Sequence, residues 1–451
     1  MLASEVFERK FTINSSGHLE IGGCDVVELA QDFGTPLYVL DEAKVRANCR
    51  TYREALKGVY PNYEVVYAGK AFLTQAMCGL VYQEGLGLDV VSGGELYTAL
   101  QAGFPAERIN FHGNNKSRAE LLMALKNGVG RIMVDGLMEL ETLIQLARET
   151  KTQPQVVLRL KPGIVVHTHS YTQTGQEDSK FGLGIKDGVA MKAVKIALAS
   201  PQIKLLGFHA HIGSQILDVA PFMAAVDVLT AFMAEVRTQT GFVAQKLALG
   251  GGFGIAHNKR EKPLALWETV AQIGRYARER LTALHYPLPR LVLEPGRSIV
   301  GPAGTTLYTV GNIKRIPGVR TYLAVDGGMT DNPRVALYQA VYEGVLANKM
   351  NEPLTEVVTV TGKCCESGDT LIWDLPLAAP EPGDLLAVFD TGAYNYSMAS
   401  NYNRLPRPAV VLVADGEAEL IVRRETYEQL IQNDLMPERL KVKPETEPIA
   451  K

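Results

Sequence analysis

Four stretches of the chain carry residues whose types and spacing could do chemistry together. Lys70 ends the run Glu64-Val65-Val66-Tyr67-Ala68-Gly69-Lys70. Val65 to Ala68 reads as a strand buried on both faces, as parallel strands are, and a lysine at its end has no packing role there. A lysine buried at such a point sheds its charge readily and becomes a nucleophilic amine. The plainer reading is a strand-end lysine that snorkels to the surface. Gly250-Gly251-Gly252-Phe253-Gly254 can turn backbone N–H groups onto one anion, which suits a phosphate; a tight turn alone also calls for such glycines. His211-Ile212-Gly213-Ser214 offers a flat ring for stacking and a hydroxyl for a phosphate. His209 and His211 stand two residues apart, on one face of a strand, and could grip a metal. No third ligand is apparent, so no metal is expected. Glu294-Pro295-Gly296-Arg297 sets a carboxylate beside an arginine. They form either a plain ion pair, or an acid that keeps a ring nitrogen protonated next to a guanidinium that takes a substrate carboxylate. A lysine able to form a Schiff base, a phosphate cradle, a stacking ring and an acidic partner for a ring nitrogen together describe a pyridoxal 5'-phosphate site.

Such residues need a frame that brings them to one place. Eight stretches repeat one pattern, a short apolar run followed by helical periodicity: 64–70, 87–93, 109–114, 131–136, 155–160, 204–213, 246–252 and 290–296. Strands alternating with helices of this length mean βαβ units and a parallel sheet. Eight units in about 260 residues predict a closed (β/α)8 barrel, a TIM barrel, over a doubly wound sheet. The C-terminal strand ends, where such barrels do chemistry, then carry Lys70, Asp89, His112, Asp135, Arg159, His209 with His211, Gly250 to Gly252, and Glu294 with Arg297. After about residue 298 the texture becomes strands and turns. Leu307 to Ile316, Thr321 to Val325, Glu356 to Thr361, Asp384 to Phe389 and Ala409 to Val413 read as strands, and Asp415-Gly416 is the strongest hairpin turn. The expected division is therefore 1–36, β-rich and joining the C-terminal sheet; 37–297, the cofactor-binding barrel; and 298–451, a mostly antiparallel β domain.

Composition narrows the class. Among 451 residues, 46 Lys+Arg against 49 Asp+Glu leave a net charge of −3, which is no footprint for nucleic acid or an anionic membrane. No apolar run approaches the roughly 20 residues of a membrane span, and the charged start MLASEVFERKFTI does not read as a signal peptide. Five cysteines with no CxxC spacing fit a reduced, cytoplasmic protein.

Nearly the whole chain resembles the meso-diaminopimelate decarboxylases, in the group with an alanine-racemase-like barrel and a C-terminal β domain. The carriers are YAGKAF (67–72), LDVVSGGEL (88–96), HTHSYTQTGQEDSKFG (167–182), FHAHIGSQ (208–215), LGGGFG (249–254), LEPGR (293–297), DNPRVALY (331–338), CCESGD (364–369) and DTGAYNYSMASNYNRLPRP (390–408). Phe72 and Ala210 depart from residues common in that family, and neither position has an obvious chemical role.

The resemblance implies roles residue by residue. Lys70 holds the cofactor, His211 stacks on its ring, and Ser214, Gly251 and Gly252 bind its phosphate. Glu294 pairs with the pyridinium nitrogen, and Asp89, Arg159, Gly296, Arg297 and Tyr394 complete the cofactor pocket. Arg297, Arg334 and Tyr338 hold the far carboxylate of the substrate, Glu366 takes its far ammonium, and Tyr394 closes on phosphate and substrate. Cys365 is the acid that reprotonates Cα; for Cys364 a plain packing role is expected. The segment with Cys365 and Glu366 reaches in from the other subunit, so a homodimer with two shared sites is implied. The implied reaction is decarboxylation of meso-2,6-diaminopimelate to L-lysine and carbon dioxide, the last step of lysine biosynthesis. Arginines that answer the distal carboxylate favour this substrate over ornithine, arginine or lysine, which present only an ammonium there. A non-catalytic cofactor-binding relative is the other alternative, opposed by Lys70, Glu294 and Cys365. Residues 167–181 read as a lid over the site, and the tail from Val442 as a frayed end.

Overall fold

The computed structural model describes residues 1–164, 176 and 178–442. The expected lid lies outside the described residues at 167–175 and 177, as does the tail beyond Val442. All eight expected barrel strands form: Tyr63–Ala68, Gly87–Val90, Ile109–Phe111, Arg131–Val134, Gln155–Lys161, Lys204–His209, Lys246–Ala248 and Arg290–Leu293. Each pairs in parallel with the next, and the eighth pairs with the first, so the sheet is closed. The doubly wound alternative is thereby excluded.

Side chains alternate along each strand, so one set faces the helices and the other fills the barrel. Val65 and Tyr67 face outward into the large core shared with the helices. The inward apolar residues fall into two separate islands, Val66 with Ala248 and Val292, and Met133 with Val157 and Leu206. A barrel interior is ordinarily filled by layers of branched apolar residues; here the space between the islands is polar. A bulge between Leu205 and Gly207 shifts the parity of the sixth strand. Leu206 therefore faces the interior and Phe208 the helices, and the next residue, His209, turns inward.

The second layer is a sheet in the order Thr370–Leu377, Glu356–Thr361, Arg320–Val325, Gly304–Ile316, Leu37–Asp41, Ala409–Ala414, Glu417–Val422. Leu385–Phe389 pairs with Gly304–Ile316 and with Gly344–Leu346. Most pairings are antiparallel, as expected, and the turn at Asp415-Gly416 joins the last hairpin with φ of 52° and 84°. Two expectations need correction. Leu37–Asp41, placed by sequence in the barrel domain, is a central strand of this sheet, antiparallel to Gly304–Ile316 and parallel to Ala409–Ala414. Its apolar run is buried on both faces, which a barrel strand and a central sheet strand share. Residues 12–25 do not extend the sheet but form one of their own, with three strands. Leu19 N–H still donates to Ala347 O at 2.8 Å, and Leu19 packs into the β-domain core.

Candidate active site

A cavity of about 310 Å³ opens at the C-terminal ends of the barrel strands. It gathers Lys70, Asp89, Arg159, His211, Ser214, Gly251, Gly252, Glu294, Gly296, Arg297 and Tyr394. These come from the first, second, fifth, sixth, seventh and eighth barrel strand ends and from the β domain, so only the closed fold brings them together.

Lys70 differs from its sequence reading in one respect. The strand stops at Ala68, and Lys70 sits in a short 3-10 turn, Gly69–Ala71, with an exposed side chain on the cavity. It is not a buried strand end. Just before the turn, Ala68 N–H donates to Pro295 O at 2.9 Å, which ties the strand end to the loop after the eighth strand.

Glu294 lies 224 positions after Lys70, at the end of the eighth strand, and is buried. Its Oε2 meets His209 Nε2 at 2.8 Å, while Oε1 has no hydrogen-bond partner among the described residues. His112 Nε2 stands 3.8 Å from that free oxygen and 3.3 Å from Asp89 Oδ1. Burial holds the His112 ring well below the usual histidine pKa, although Glu294 pulls the other way. Burial also pushes Asp89 up to about 7, against a hydrogen bond from Asn110. His112, His209 and Glu294 offer ligand atoms within 4.8 Å of one another, a cluster that does not include His211 and so does not complete the His209–His211 pair. His209 Nε2 is already engaged by Glu294.

The glycines of the seventh loop pack without room for side chains. A Cβ on Gly251 would meet Glu294 O at 2.1 Å, and Gly252, at φ 102°, would press one against Gly213 O at 2.2 Å. Only bare backbone fits this lip of the cavity. Gly251 N–H points at His211 Nδ1, 3.3 Å away, so it also orients the ring. Burial, and then the charge of Lys70, hold His211 well below the usual histidine range. Ser214 Oγ accepts from Arg297 Nη2 at 2.9 Å, joining two residues that the sequence assigned to different ligands.

Arg297 and Arg334 are both buried, at 6% and 5% exposure, and neither has a carboxylate partner among the described residues. Nε and Nη1 of each are unsatisfied. Burial, and then the charge of Arg334, lower Arg297 to about 10. Arg297 lies against Tyr394, 4.7 Å from the ring centre, and Arg334 against Tyr338, at 5.7 Å. Arg334 is presented by a rigid turn in which Tyr308 Oη donates to Asp331 Oδ2 at 2.5 Å and Tyr38 Oη to Asp331 O. Two buried cations left without an anion are costly unless an anionic ligand arrives.

Arg334, Tyr338, Cys365 and Glu366 do not line this cavity. Cys365 and Glu366 are exposed on a turn whose Cys365 N–H donates to Asn403 Oδ1 at 2.7 Å. Sequence reasoning missed the parts played by His112, His209 and Asn110. The signal was present, since each is polar at a position whose strand neighbours are apolar.

Residues 42–301 match the family model for the pyridoxal binding domain of pyridoxal-dependent decarboxylases, which sets the class of this barrel and site. The diaminopimelate decarboxylase of Bacillus subtilis is 53% identical over 94% of this chain and 96% of its own length, and that of Synechocystis 48% identical over 95% and 92%. The solved diaminopimelate decarboxylase of M. jannaschii in complex with L-lysine superimposes with a TM-score of 0.90 at 36% identity, over 97% of this chain and 100% of that one. The chain belongs to the diaminopimelate decarboxylase family. Among the described residues, no helix is long and apolar enough to cross a membrane.

Proposed function

We propose that this chain converts meso-2,6-diaminopimelate to L-lysine and carbon dioxide, with pyridoxal 5'-phosphate held by Lys70. The observation that carries the substrate is the pair Arg297 and Arg334, buried, mutually repelling and, among the described residues, short of an anion. A distal carboxylate supplies that anion, and ornithine or lysine lacks one.

The cofactor fits the residues present. Glu294 Oε1 is an unspent acceptor for a ring N–H, the 250–252 loop leaves space that side chains would fill, and Lys70 reaches the cavity. When bound, pyridoxal phosphate supplies an electron sink for the pair released as carbon dioxide departs. Glu294 keeps the ring nitrogen protonated, and His209 holds Glu294 in place. His211 packs on the ring face, its tilt set by Gly251 N–H. Ser214, Gly251, Gly252, Gly296 and Tyr394 would hold the phosphate, and Asp89 and Arg159 would complete the pocket for the cofactor. Arg297, Arg334 and Tyr338 clamp the far carboxylate. Glu366 binds the far ammonium and Cys365 delivers the proton to Cα, both from a second copy of the chain. Their exposure, and their place outside this cavity's lining, support that reading. The functional unit is thus a homodimer divided into N-terminal strands, barrel and β domain, and five free cysteines fit a cytoplasmic setting.

Arg334→Met tests the substrate assignment. Losing one side of a buried charge pair costs about 2–5 kcal/mol, so KM for meso-diaminopimelate should rise at least tenfold while bound-cofactor absorbance persists. An unchanged KM refutes the role.

A further inference from the structure

Asn110 stands in the middle of a buried polar file that the proposed reaction does not use. Its amide Nδ2 donates to Asp89 Oδ1 at 2.9 Å, at the cavity. Its Oδ1 accepts from Arg131 Nε. Arg131 Nη2 donates to Glu64 Oε1 at 2.7 Å, and Glu64 Oε2 receives Lys246 Nζ at 2.5 Å. Glu64, Arg131 and Lys246 lie at the N-terminal strand ends, on the barrel floor. The file therefore runs the depth of the barrel, between the two apolar islands. Its direction is fixed, because a guanidinium only donates and so commits the amide oxygen to the floor and the amide N–H to Asp89. Burying Arg131 and Lys246, and half-burying Glu64, costs energy that a plain apolar core would not, which calls for a reason.

The reason lies at the upper end. His112 Nε2 makes no hydrogen bond among the described residues but lies between two carboxylates, nearer Asp89 at 3.3 Å than Glu294 at 3.8 Å. We propose that Asn110 and Arg131 are positioning residues that anchor Asp89 from the barrel floor. His112 then stays with Asp89, and Glu294 Oε1 stays open toward the cavity. This rests on the reading of Glu294 as the partner of a ring nitrogen. The groups facing Asp89 are Lys70 from the turn after the first strand, Glu95 from the helix Gly93–Gln101, His112, Arg131 and His209. Burial drives Asp89 toward its neutral form, and the Asn110 hydrogen bond is the largest influence opposing it. Without that donor Asp89 takes up a proton, His112 turns to Glu294, and the free lone pair is spent.

The test is a spectroscopic titration of the full-length protein with pyridoxal phosphate, repeated across the neutral pH range. Asn110→Leu, similar in shape, should raise Kd at neutral pH about tenfold and move the pH midpoint of binding up by about one unit, since losing a donor raises a carboxyl pKa. Arg131→Lys, which retains the floor charge, should shift the midpoint the same way. In a His112→Phe background Asn110→Leu should change Kd less than about twofold, because the two act through one contact. A merely structural role would lower thermal stability and leave the midpoint in place. Wild-type midpoints in Asn110→Leu and Arg131→Lys, or full additivity with His112→Phe, overturn the proposal. Should Asn110→Leu not fold, Arg131→Lys with and without His112→Phe decides it. No visible band in the wild type would instead sink the cofactor reading.

Discussion

The backbone N–H of Tyr394 donates to the carbonyl of Ala71 at 2.9 Å, so the β domain is tied to the turn that carries Lys70. Ser397 Oγ donates to the same carbonyl at 3.1 Å. Tyr394 holds a left-handed conformation, φ 61°, which a side chain-bearing residue adopts only when its surroundings impose it. The β domain of the same chain thus sets Tyr394 on the rim of the barrel cavity.

The segment bearing Tyr394 depends on close backbone packing at Gly392, where a Cβ would meet Val300 O at 2.0 Å. Gly392→Ala should destabilise the protein by about 1–3 kcal/mol through overpacking. It should also weaken cofactor binding as Tyr394 shifts. Gly58→Ala, with nothing within 4 Å of its Cβ, is the control and should stay within about 0.5 kcal/mol. Thermal melts and cofactor titration read both effects.

Glu294→Gln can still bond His209 but has no charge to keep a ring nitrogen protonated. Its kcat should fall by about 10²–10³, the usual loss when one preorganised electrostatic partner is removed. The visible cofactor band should remain. A kcat within threefold of wild type contradicts the role.

Asp331 is buried, and burial pushes its carboxyl up to about 7. The unfolded chain sheds this proton near 3.8 while the folded chain retains it until about 7. Over that interval the folded state binds more protons, so stability falls as pH rises. Asp331→Asn, which mimics the neutral acid, should lie closest to wild type near pH 4. It should gain stability relative to wild type as pH rises toward 7. Melting temperatures across this range measure it; a variant that loses ground to wild type as pH rises contradicts it.

Sharing of sites between subunits can be read by complementation. Cys365→Ala and Lys70→Ala proteins should each be inactive or nearly so. Mixed dimers should regain activity, because one of their two sites is wholly wild type. Verified heterodimers without recovery contradict a site completed by a second chain.

The barrel was legible because each strand is a short apolar run with a chemically loaded end, and closure then put Lys70 and Glu294 on one rim. Leu37–Asp41 misled because a central strand of either sheet shows the same unbroken apolar run. Thr370–Leu377 escaped notice because Asp374 and Pro376 interrupt its pattern. The sequence leaves Lys70 either buried or snorkelling to the surface because nothing in EVVYAGK marks where the strand stops; in the fold it is exposed on the cavity. The polar file stayed hidden as well. Glu64, Arg131 and Lys246 each look like ordinary strand-end polar residues, and the mid-strand Asn110 stands out alone, until closure stacks them inside one barrel.

The central claim is decarboxylation of a substrate with a second carboxylate. Purified protein with pyridoxal phosphate should be incubated separately with meso-diaminopimelate, L-lysine and L-ornithine, and released carbon dioxide assayed. Carbon dioxide from meso-diaminopimelate, with L-lysine as the product and no comparable release from the other two, is the expected result. Release from L-lysine or L-ornithine at equal or greater rates would contradict the account, because Arg297 and Arg334 would then have no anion to answer.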